Sequence, residues 1–213
     1  MSSAPQFDDA FRARLRELLA WRRDVRRFRR EALPEGAVER LIALACLAPS
    51  VGLSQPWRFV RVDAPARRAA IATNFAACNA AALRRQTPDR AARYARLKLA
   101  GLDDAPCQLA VFADAQTGQG HGLGRLTMPE MIEYSAVAAA HTLWLAARAE
   151  GIGMGWVSIL DPSTVRRVLD VPEAWRLIGY FCLGYPAADD DVPQLARDGW
   201  ETRRAPELLV VRR

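Results

Sequence analysis

The sequence predicts an α+β or α/β protein in which helices cover a β-sheet within one domain. Short apolar runs typical of strands are separated by long segments with helical periodicity. The 213 residues suit an ordinary domain, and 51% of them are apolar, which is enough for a sizeable core. No internal repeat or low-complexity linker divides the chain, so we expect residues 1–213 to form a single domain.

Five segments predict helices because they are rich in alanine or have apolar residues at helical spacing. Proline in the first turn marks the start of three of them. We expect a break near Asn74–Asn79 and another at Thr87–Pro88. The helix after Pro129 is apolar almost all round, which predicts a buried central helix with His141 as a core histidine. The five lie at about Asp8–Ala20, Pro34–Pro49, Ala64–Ala100, Pro129–Glu150 and just after Pro162.

Four apolar runs of strand length predict the sheet. A fifth run, ELLVV (207–211), predicts an edge strand for this sheet or for that of another subunit. The Gly-rich connection Gln116–Thr127 has a length usually found at functional lids. The four main runs are WRFVRV (57–62), QLAVFA (108–113), GIGMGWVSIL (151–160) and RLIGYFCLGY (176–185).

The chain is basic, with a net charge of +6 that comes almost entirely from arginine. A basic balance indicates a nucleic acid, a membrane surface or a phosphate-bearing ligand, or else arginines on solvated helix faces. No basic stretch is interleaved with aromatic residues as in single-strand binders, so we expect no nucleic-acid partner.

Hydropathy and charge predict where the protein is located, and the cysteines and histidines indicate whether disulfides or a metal site are expected. No apolar run approaches 18 residues, so no membrane partner is expected, and the charges in the first twenty residues leave no room for a signal peptide. We therefore expect a soluble cytoplasmic protein. Cys46, Cys78, Cys107 and Cys182 lie in separate apolar runs, which favours core thiols over disulfides. With only two histidines, no metal site is expected.

Two arginine clusters are candidates for binding an anion. Arg22, Arg23 and Arg26 surround Asp24 and Val25 in one short segment. Guanidinium groups bind phosphate bidentately and stay charged at any working pH. Arg203-Arg204, near the end of the chain, would provide a second arm on the same phosphate. Solvated basic turns are the alternative for both clusters.

Two further segments suit a flat polar ligand. Pro49–Trp57 offers the hydroxyls of Ser50 and Ser54 to a polar ring edge, with a surface connection as the alternative. In Gly151–Ser158, glycines alternate with bulky residues, so the backbone can approach a planar group closely. Its G-x-G-x-G pattern follows a helix and does not open one, which excludes a Rossmann dinucleotide loop.

Together these segments resemble the flavin-dependent nitroreductase superfamily. The family's early basic motif corresponds to RRDVRRF (22–28) and its loop motif to PSVGLSQPWRF (49–59). Asp24 stands where nitroreductases usually have Ser or Thr, and Leu53-Ser54 replaces a common Asn. With KLAGL (98–102), MPEM (128–131), HTLWLAARAEGIGMGWVSILDP (141–162) and GYPA (184–187), these departures resemble one branch, the 5,6-dimethylbenzimidazole synthase (BluB) family.

The resemblance implies a nitroreductase-like fold with a mixed, mainly antiparallel sheet and a long central helix at a homodimer interface. It implies that reduced FMN is the substrate and O2 the co-substrate. The products implied are 5,6-dimethylbenzimidazole, the lower ligand of vitamin B12, and erythrose 4-phosphate. A separate NAD(P)H-dependent flavin reductase would supply the reduced FMN.

The resemblance also implies a set of site residues. The phosphate and ribityl contacts are Arg22, Arg23 and Arg26, with Val25 beside them, and Arg204 is the late phosphate arginine, with Arg203 as its alternative. Ser50 and Ser54 would come from the neighbouring subunit. The backbone of Trp156, Val157 and Ser158 would lie along the isoalloxazine, with Asp24 and Ser158 as the catalytic residues. Gly118–Met131 and Tyr94–Leu102 are the two candidate lids.

Three alternatives stay open at this point. The first is an NAD(P)H-dependent nitroreductase or dehalogenase, in which FMN cycles and is not consumed. The second is a non-catalytic FMN-binding protein, which needs the phosphate arginines but not Asp24. The third, a basic DNA-associated protein, predicts salt-dependent DNA affinity.

Overall fold

The computed structural model of the chain describes residues 4–98 and 100–213. Four strands form one sheet, and helices cover both of its faces. The strands are β1 (Trp57–Arg61), β2 (Cys107–Asp114), β3 (Gly153–Val157) and β4 (Trp175–Gly184). The helices are α1 (Asp9–Trp21), α2 (Ala37–Ala45), α3 (Pro65–Arg84), α4 (Pro88–Arg96), α5 (Met131–Ala149), α6 (Pro162–Leu169) and the short α7 (Gln194–Arg197).

The sheet has the order β1-β2-β4-β3, and each neighbouring pair is antiparallel. One parallel contact extends its β3 edge, where Asp24 forms a bridge with Met154. There the Val25 N–H donates to the Met154 carbonyl over 3.1 Å. The fold is therefore α+β with a mixed, mainly antiparallel sheet, as the resemblance implies, and the α/β alternative is excluded.

Two apolar clusters place the core on either side of the sheet. Residues of α2 and α5 pack on one face, while α3 and α6 pack on the other. Cys107 and Cys182 are buried in these clusters as predicted, and burial raises the pKa of the Cys182 thiol to about 12. At neutral pH this thiol is protonated and acts as a packing group.

Helix α5 confirms the predicted long helix, but part of its surface is exposed within one chain. Its sheet-facing side is fully buried at Ala136, Ala140 and Leu143. On the opposite side Tyr134 is 54% exposed, and His141 is also exposed. The prediction of a core histidine is therefore wrong for the single chain, because the apolar character of α5 extends past the part that the sheet covers.

The predicted break near Asn74–Asn79 is wrong, because α3 runs through it without interruption. Both asparagine side chains bond to other segments and do not break their own helix. The Asn74 Oδ1 accepts from the backbone N–H of Asp161, and the Asn79 Oδ1 accepts from the Tyr94 hydroxyl. The break at Thr87–Pro88 is confirmed, since α4 begins at Pro88.

The C-terminal tail differs from the strand predicted for it. Pro206–Leu209 forms a short 3-10 helix, and its apolar side chains are exposed. Proline at the first position and the absence of a strand partner in the described part of the chain explain this local conformation. Among the described residues, no helix is long and apolar enough to cross a membrane.

Candidate active site

The carboxylate of Asp24 lies at the centre of the predicted basic segment and is held at both oxygens. Its Oδ1 accepts from the backbone N–H of Trp156 over 2.9 Å. Its Oδ2 accepts from the Arg26 Nε over 2.8 Å, and the Asp24 side chain remains 32% exposed. The bridge to Met154 thus brings two segments, 130 residues apart in the sequence, into one site.

Glycines of β3 allow this close approach. A Cβ at Gly155 would overlap the carbonyl oxygen of Val25, and a Cβ at Gly153 would lie 2.8 Å from the Val25 Cγ2. The sequence predicts that these glycines let the backbone approach a flat ligand closely. In the structure they admit the Asp24 segment, which the sequence alone did not indicate.

We expect Gly155→Ala to destabilise the fold and to displace Asp24. The overlap is with backbone, which cannot rotate away, so we expect a loss of at least about 2 kcal/mol in the free energy of unfolding. Thermal unfolding measures the loss, with Gly118→Ala as the control because a Cβ there meets no atom within 4 Å. Equal melting temperatures for the two variants would contradict the assigned role of Gly155.

Four arginines converge on a small cleft beside Asp24. Arg22, Arg23, Arg26 and Arg203 line a volume of about 210 Å³, which Pro193–Leu195 closes on the other side. Burial lowers the pKa of Arg22, and so does the neighbouring charge of Arg203, whereas Asp24 raises this pKa. Burial and the charge of Arg203 also lower the pKa of Arg23. The positive charge is thus in excess, which suits an anionic ligand.

The two residues of the late basic pair, Arg203 and Arg204, differ in their position relative to this cleft. Both arginines are exposed, but Arg203 lines the cleft and Arg204 does not. Arg26 also differs from its neighbours, because its guanidinium is engaged by Asp24 and by the backbone carbonyl of Lys98. Arg22 stacks on the ring of Trp144, with 4.6 Å between the guanidinium carbon and the ring centroid. The sequence predicts this tryptophan only as part of an apolar helix.

The predicted flavin-facing residues lie at the end of β3. Trp156 is half-buried and packs against Phe181, with ring centroids 4.9 Å apart. A Cβ at Gly179 would overlap the Trp156 ring, so this glycine makes room for the tryptophan. Val157 is buried, while Ser158 is exposed where the strand ends. These residues therefore directly follow the part of β3 that is bridged to the Asp24 segment.

The loop Pro49–Pro56 lies elsewhere on the same chain. The Ser50 Oγ accepts from the Gln55 N–H, and the Val51 N–H donates to the Ser135 Oγ in the first turn-and-a-half of α5. Ser135 is nine residues before Trp144, which is about 13 Å along a helix. Within one chain, Ser50 is thus anchored at the opposite end of α5 from the arginine cleft.

Ser54 is the unusual member of this loop. Only 1% of the residue is exposed, and its Oγ has no hydrogen-bond partner among the described residues. A buried hydroxyl without a partner is costly, so a further donor or acceptor at Ser54 would be favourable. The candidate lid Gly118–Met131 covers this loop, since the Gln119 Nε2 donates to the Leu53 carbonyl. In the other candidate lid, Tyr94–Leu102, residue 99 lies outside the described residues.

A second cavity of about 490 Å³ lies beside the basic segment. Its walls include Trp21 and Trp144, together with Arg148, which stacks on Trp21 at 5.8 Å. The described residues contain no group of three His, Cys, Asp or Glu side chains that could hold a metal ion.

Sequence comparison identifies the relatives of the chain. The family model described as "Nitroreductase family" matches residues 19–185. The chain is 57% identical to 5,6-dimethylbenzimidazole synthase of Rhodospirillum rubrum, over 96% of this chain and 97% of that protein. It is 49% identical to the enzyme of the same name from Rhodobacter capsulatus, over 92% and 94% of the two chains.

Comparison with solved structures identifies the fold. Oxidised iodotyrosine deiodinase bound to FMN and 3-iodo-L-tyrosine matches with a TM-score of 0.72 and 22% identity, over 93% of this chain and 97% of that one. A protein from Desulfovibrio desulfuricans, described as a nitroreductase in complex with FMN, matches with a TM-score of 0.66 and 22% identity, over 93% and 96% of the two chains.

Proposed function

The chain belongs to the nitroreductase family, and from this premise we propose that it catalyses the oxygen-dependent fragmentation of reduced FMN. The products are 5,6-dimethylbenzimidazole and erythrose 4-phosphate. The observation that carries the proposal is the carboxylate of Asp24, held by Trp156 and Arg26 beside the arginine cleft. The 57% identity to a named 5,6-dimethylbenzimidazole synthase supports the same reaction.

The arginine cleft fits the phosphate of FMN. We assign the phosphate to Arg22, Arg23 and Arg203, whose charges are in excess there. The backbone of Trp156–Ser158 would lie along the ring system. Bound reduced FMN supplies both the electrons that O2 requires and the carbon atoms of the benzimidazole.

Asp24 is the candidate general base. Its Oδ1 and Oδ2 each accept one hydrogen bond, and a carboxylate oxygen has a second lone pair that can accept a proton from the ribityl chain. The Ser158 hydroxyl, at the end of β3, is a donor or acceptor toward the reacting ring. A neutral hydroxyl at position 24, which nitroreductases usually have, is a much weaker base.

We further propose that the site is completed by a second copy of this chain. Helix α1 has no buried residue, although Phe11, Leu15 and Leu19 give it an apolar stripe. On α5, Tyr134 and Val137 are 54% and 39% exposed. Exposed apolar side chains on two helices of one chain are typical of an interface with another subunit. A homodimer would bring Ser50 and Ser54 of one subunit to the arginine cleft of the other.

We expect Val137→Arg to dissociate the homodimer, because it introduces a charge into an apolar interface. Light scattering coupled to gel filtration measures the mass, which should fall from twice the 23.6 kDa of the chain toward 23.6 kDa. Ala77→Arg on the exposed side of α3 is the matched control and should leave the mass unchanged. A dimeric Val137→Arg protein would contradict this interface.

Under this proposal the reaction takes place in the cytoplasm. A separate NAD(P)H-dependent flavin reductase supplies the reduced FMN. The competing function is a nitroreductase or dehalogenase that recycles FMN.

A product assay tests the proposed function. The protein is mixed with photoreduced FMN under anaerobic conditions and exposed to O2, and the small molecules are analysed by mass spectrometry. We expect 5,6-dimethylbenzimidazole and a four-carbon sugar phosphate to form as flavin disappears. Quantitative recovery of oxidised FMN, with rapid NAD(P)H oxidation when a nitroaromatic is added, would instead establish a conventional nitroreductase.

A further inference from the structure

Arg26 connects Asp24 to a distant part of the backbone. Only 9% of the Arg26 side chain is exposed. Its Nε donates to the Asp24 Oδ2 over 2.8 Å, and its Nη1 donates to the carbonyl of Lys98 over 3.1 Å. A guanidinium has a rigid planar set of donors, so one side chain can hold two acceptors in a fixed relation.

The backbone at Leu102 is anchored by buried groups. The carbonyl of Leu102 accepts from the Gln108 Nε2 over 2.7 Å, and the Gln108 Oε1 accepts from the Tyr180 hydroxyl over 2.7 Å. Tyr180 and Gln108 are 0% and 2% exposed. This hydrogen-bond chain fixes the position of Leu102, four residues beyond Lys98.

The backbone just before Lys98 is held by α4. Tyr94 packs edge-on against Trp200 with ring centroids 6.1 Å apart, and the Arg93 Nη1 donates to the carbonyl of Gly199 over 3.4 Å. Between these two anchors, Arg26 makes the side-chain bond to the Lys98 carbonyl. Arg26 thereby joins the backbone of Lys98 to Asp24, the candidate general base.

We propose that Arg26 is a positioning residue that holds Asp24 and the Lys98 backbone together as one unit, separate from the phosphate contacts of Arg22, Arg23 and Arg203. This role rests on the proposed function of Asp24 as the base. The bond to Lys98 sets the position of the guanidinium, and the guanidinium in turn sets the rotamer of the Asp24 carboxylate. The same ion pair secures the backbone of Lys98 against the site.

Proteolysis at Lys98 can measure whether the hydrogen bond from Arg26 to the Lys98 carbonyl is formed. Lys98 is the only lysine in the chain, so an endoproteinase that cuts after lysine has a single cleavage site. Cleavage requires the backbone at that site to open locally, and its rate follows the population of the open form. The measurement uses the ligand-free protein, so it needs neither FMN nor turnover.

We expect Arg26→Gln to be cleaved after Lys98 at least tenfold faster than the natural protein. Arg30→Gln is the matched control, because Arg30 pairs with Asp104 on the surface and should leave the rate unchanged. Arg26→Lys keeps the charge but lacks the rigid planar fork, so it should give an intermediate rate of cleavage after Lys98. Because this variant adds a second lysine at position 26, the fragment masses distinguish cleavage after Lys98 from cleavage after residue 26. Circular dichroism establishes that each variant is folded, and Arg26→Lys provides the test if Arg26→Gln does not fold. An unchanged rate in the folded variant would overturn the proposal.

Asp24→Asn tests whether the two bonds of Arg26 are coupled. Losing the charged partner should release the guanidinium and increase cleavage after Lys98 by at least threefold. Cleavage at the natural rate would show that Lys98 is held independently of Asp24, which would overturn the proposed unit.

Measuring both the FMN dissociation constant and the benzimidazole yield of one variant distinguishes a positioning role from phosphate binding. Arg26→Lys should lower the benzimidazole yield at least tenfold while changing the dissociation constant of oxidised FMN less than threefold. A matching loss in affinity would place Arg26 among the phosphate contacts and overturn the assignment. If the natural protein forms no benzimidazole, the proposed function fails, whereas the proteolysis result still decides whether Arg26 joins Asp24 to Lys98.

Discussion

Replacing Asp24 with asparagine is expected to reduce benzimidazole formation at least 100-fold while FMN remains bound. Asparagine has the same shape, and its Oδ1 can still accept from the backbone N–H of Trp156. An amide oxygen, however, is far too weak a base to take a proton, and a positioned base contributes about 10²–10⁴ in rate. The arginines that line the phosphate cleft are unchanged in this variant.

The experiment measures two quantities on the same preparation. Flavin fluorescence quenching gives the dissociation constant of FMN, and mass spectrometry gives the yield of 5,6-dimethylbenzimidazole after one exposure to O2. Asp104→Asn is the control, because this carboxylate pairs only with the exposed Arg30 among its described partners. A yield for Asp24→Asn within twofold of the natural protein would rule out the proposed base.

The basic segment shows how far local sequence could predict the site. Its arginines and Asp24 are adjacent in the chain, so their grouping needed no knowledge of the fold. Their contact with Trp156 depends on the parallel bridge between Asp24 and Met154, which joins segments about 130 residues apart. Strand patterns predict each segment but not which segments become neighbours at the sheet edge.

The incorrect predictions have a common physical origin in tertiary contacts. Asparagine is a poor helix former, yet Asn74 lies inside α3 because its side chain bonds to the backbone of Asp161. His141 lies on an apolar helix but faces outward, because one chain does not cover that side of α5. Local propensity and helix periodicity describe neither a distant hydrogen bond nor the absence of a packing partner.

Arg203 and Arg204 could not be distinguished by sequence, since they have the same chemistry at adjacent positions. In the structure only Arg203 lines the cleft with Arg22 and Arg23. Its charge also contributes to the lowered pKa of both of these arginines. The choice between the two residues therefore follows from the conformation of the chain after α7, and the phosphate group of the ligand provides a way to test it.

We expect Arg203→Ala to weaken FMN binding about 10- to 100-fold, the equivalent of losing charged hydrogen bonds worth about 1.5–3 kcal/mol. Riboflavin lacks the phosphate, so its affinity should be the same for Arg203→Ala and the natural protein. Arg204→Ala, the matched control, should bind both ligands within twofold of the natural protein. The ratio of the FMN to the riboflavin effect isolates the phosphate contact, because contributions from the ring cancel. An equal loss for both ligands would mean that Arg203 supports the fold of the cleft, and a selective loss in Arg204→Ala would transfer the phosphate contact to that residue.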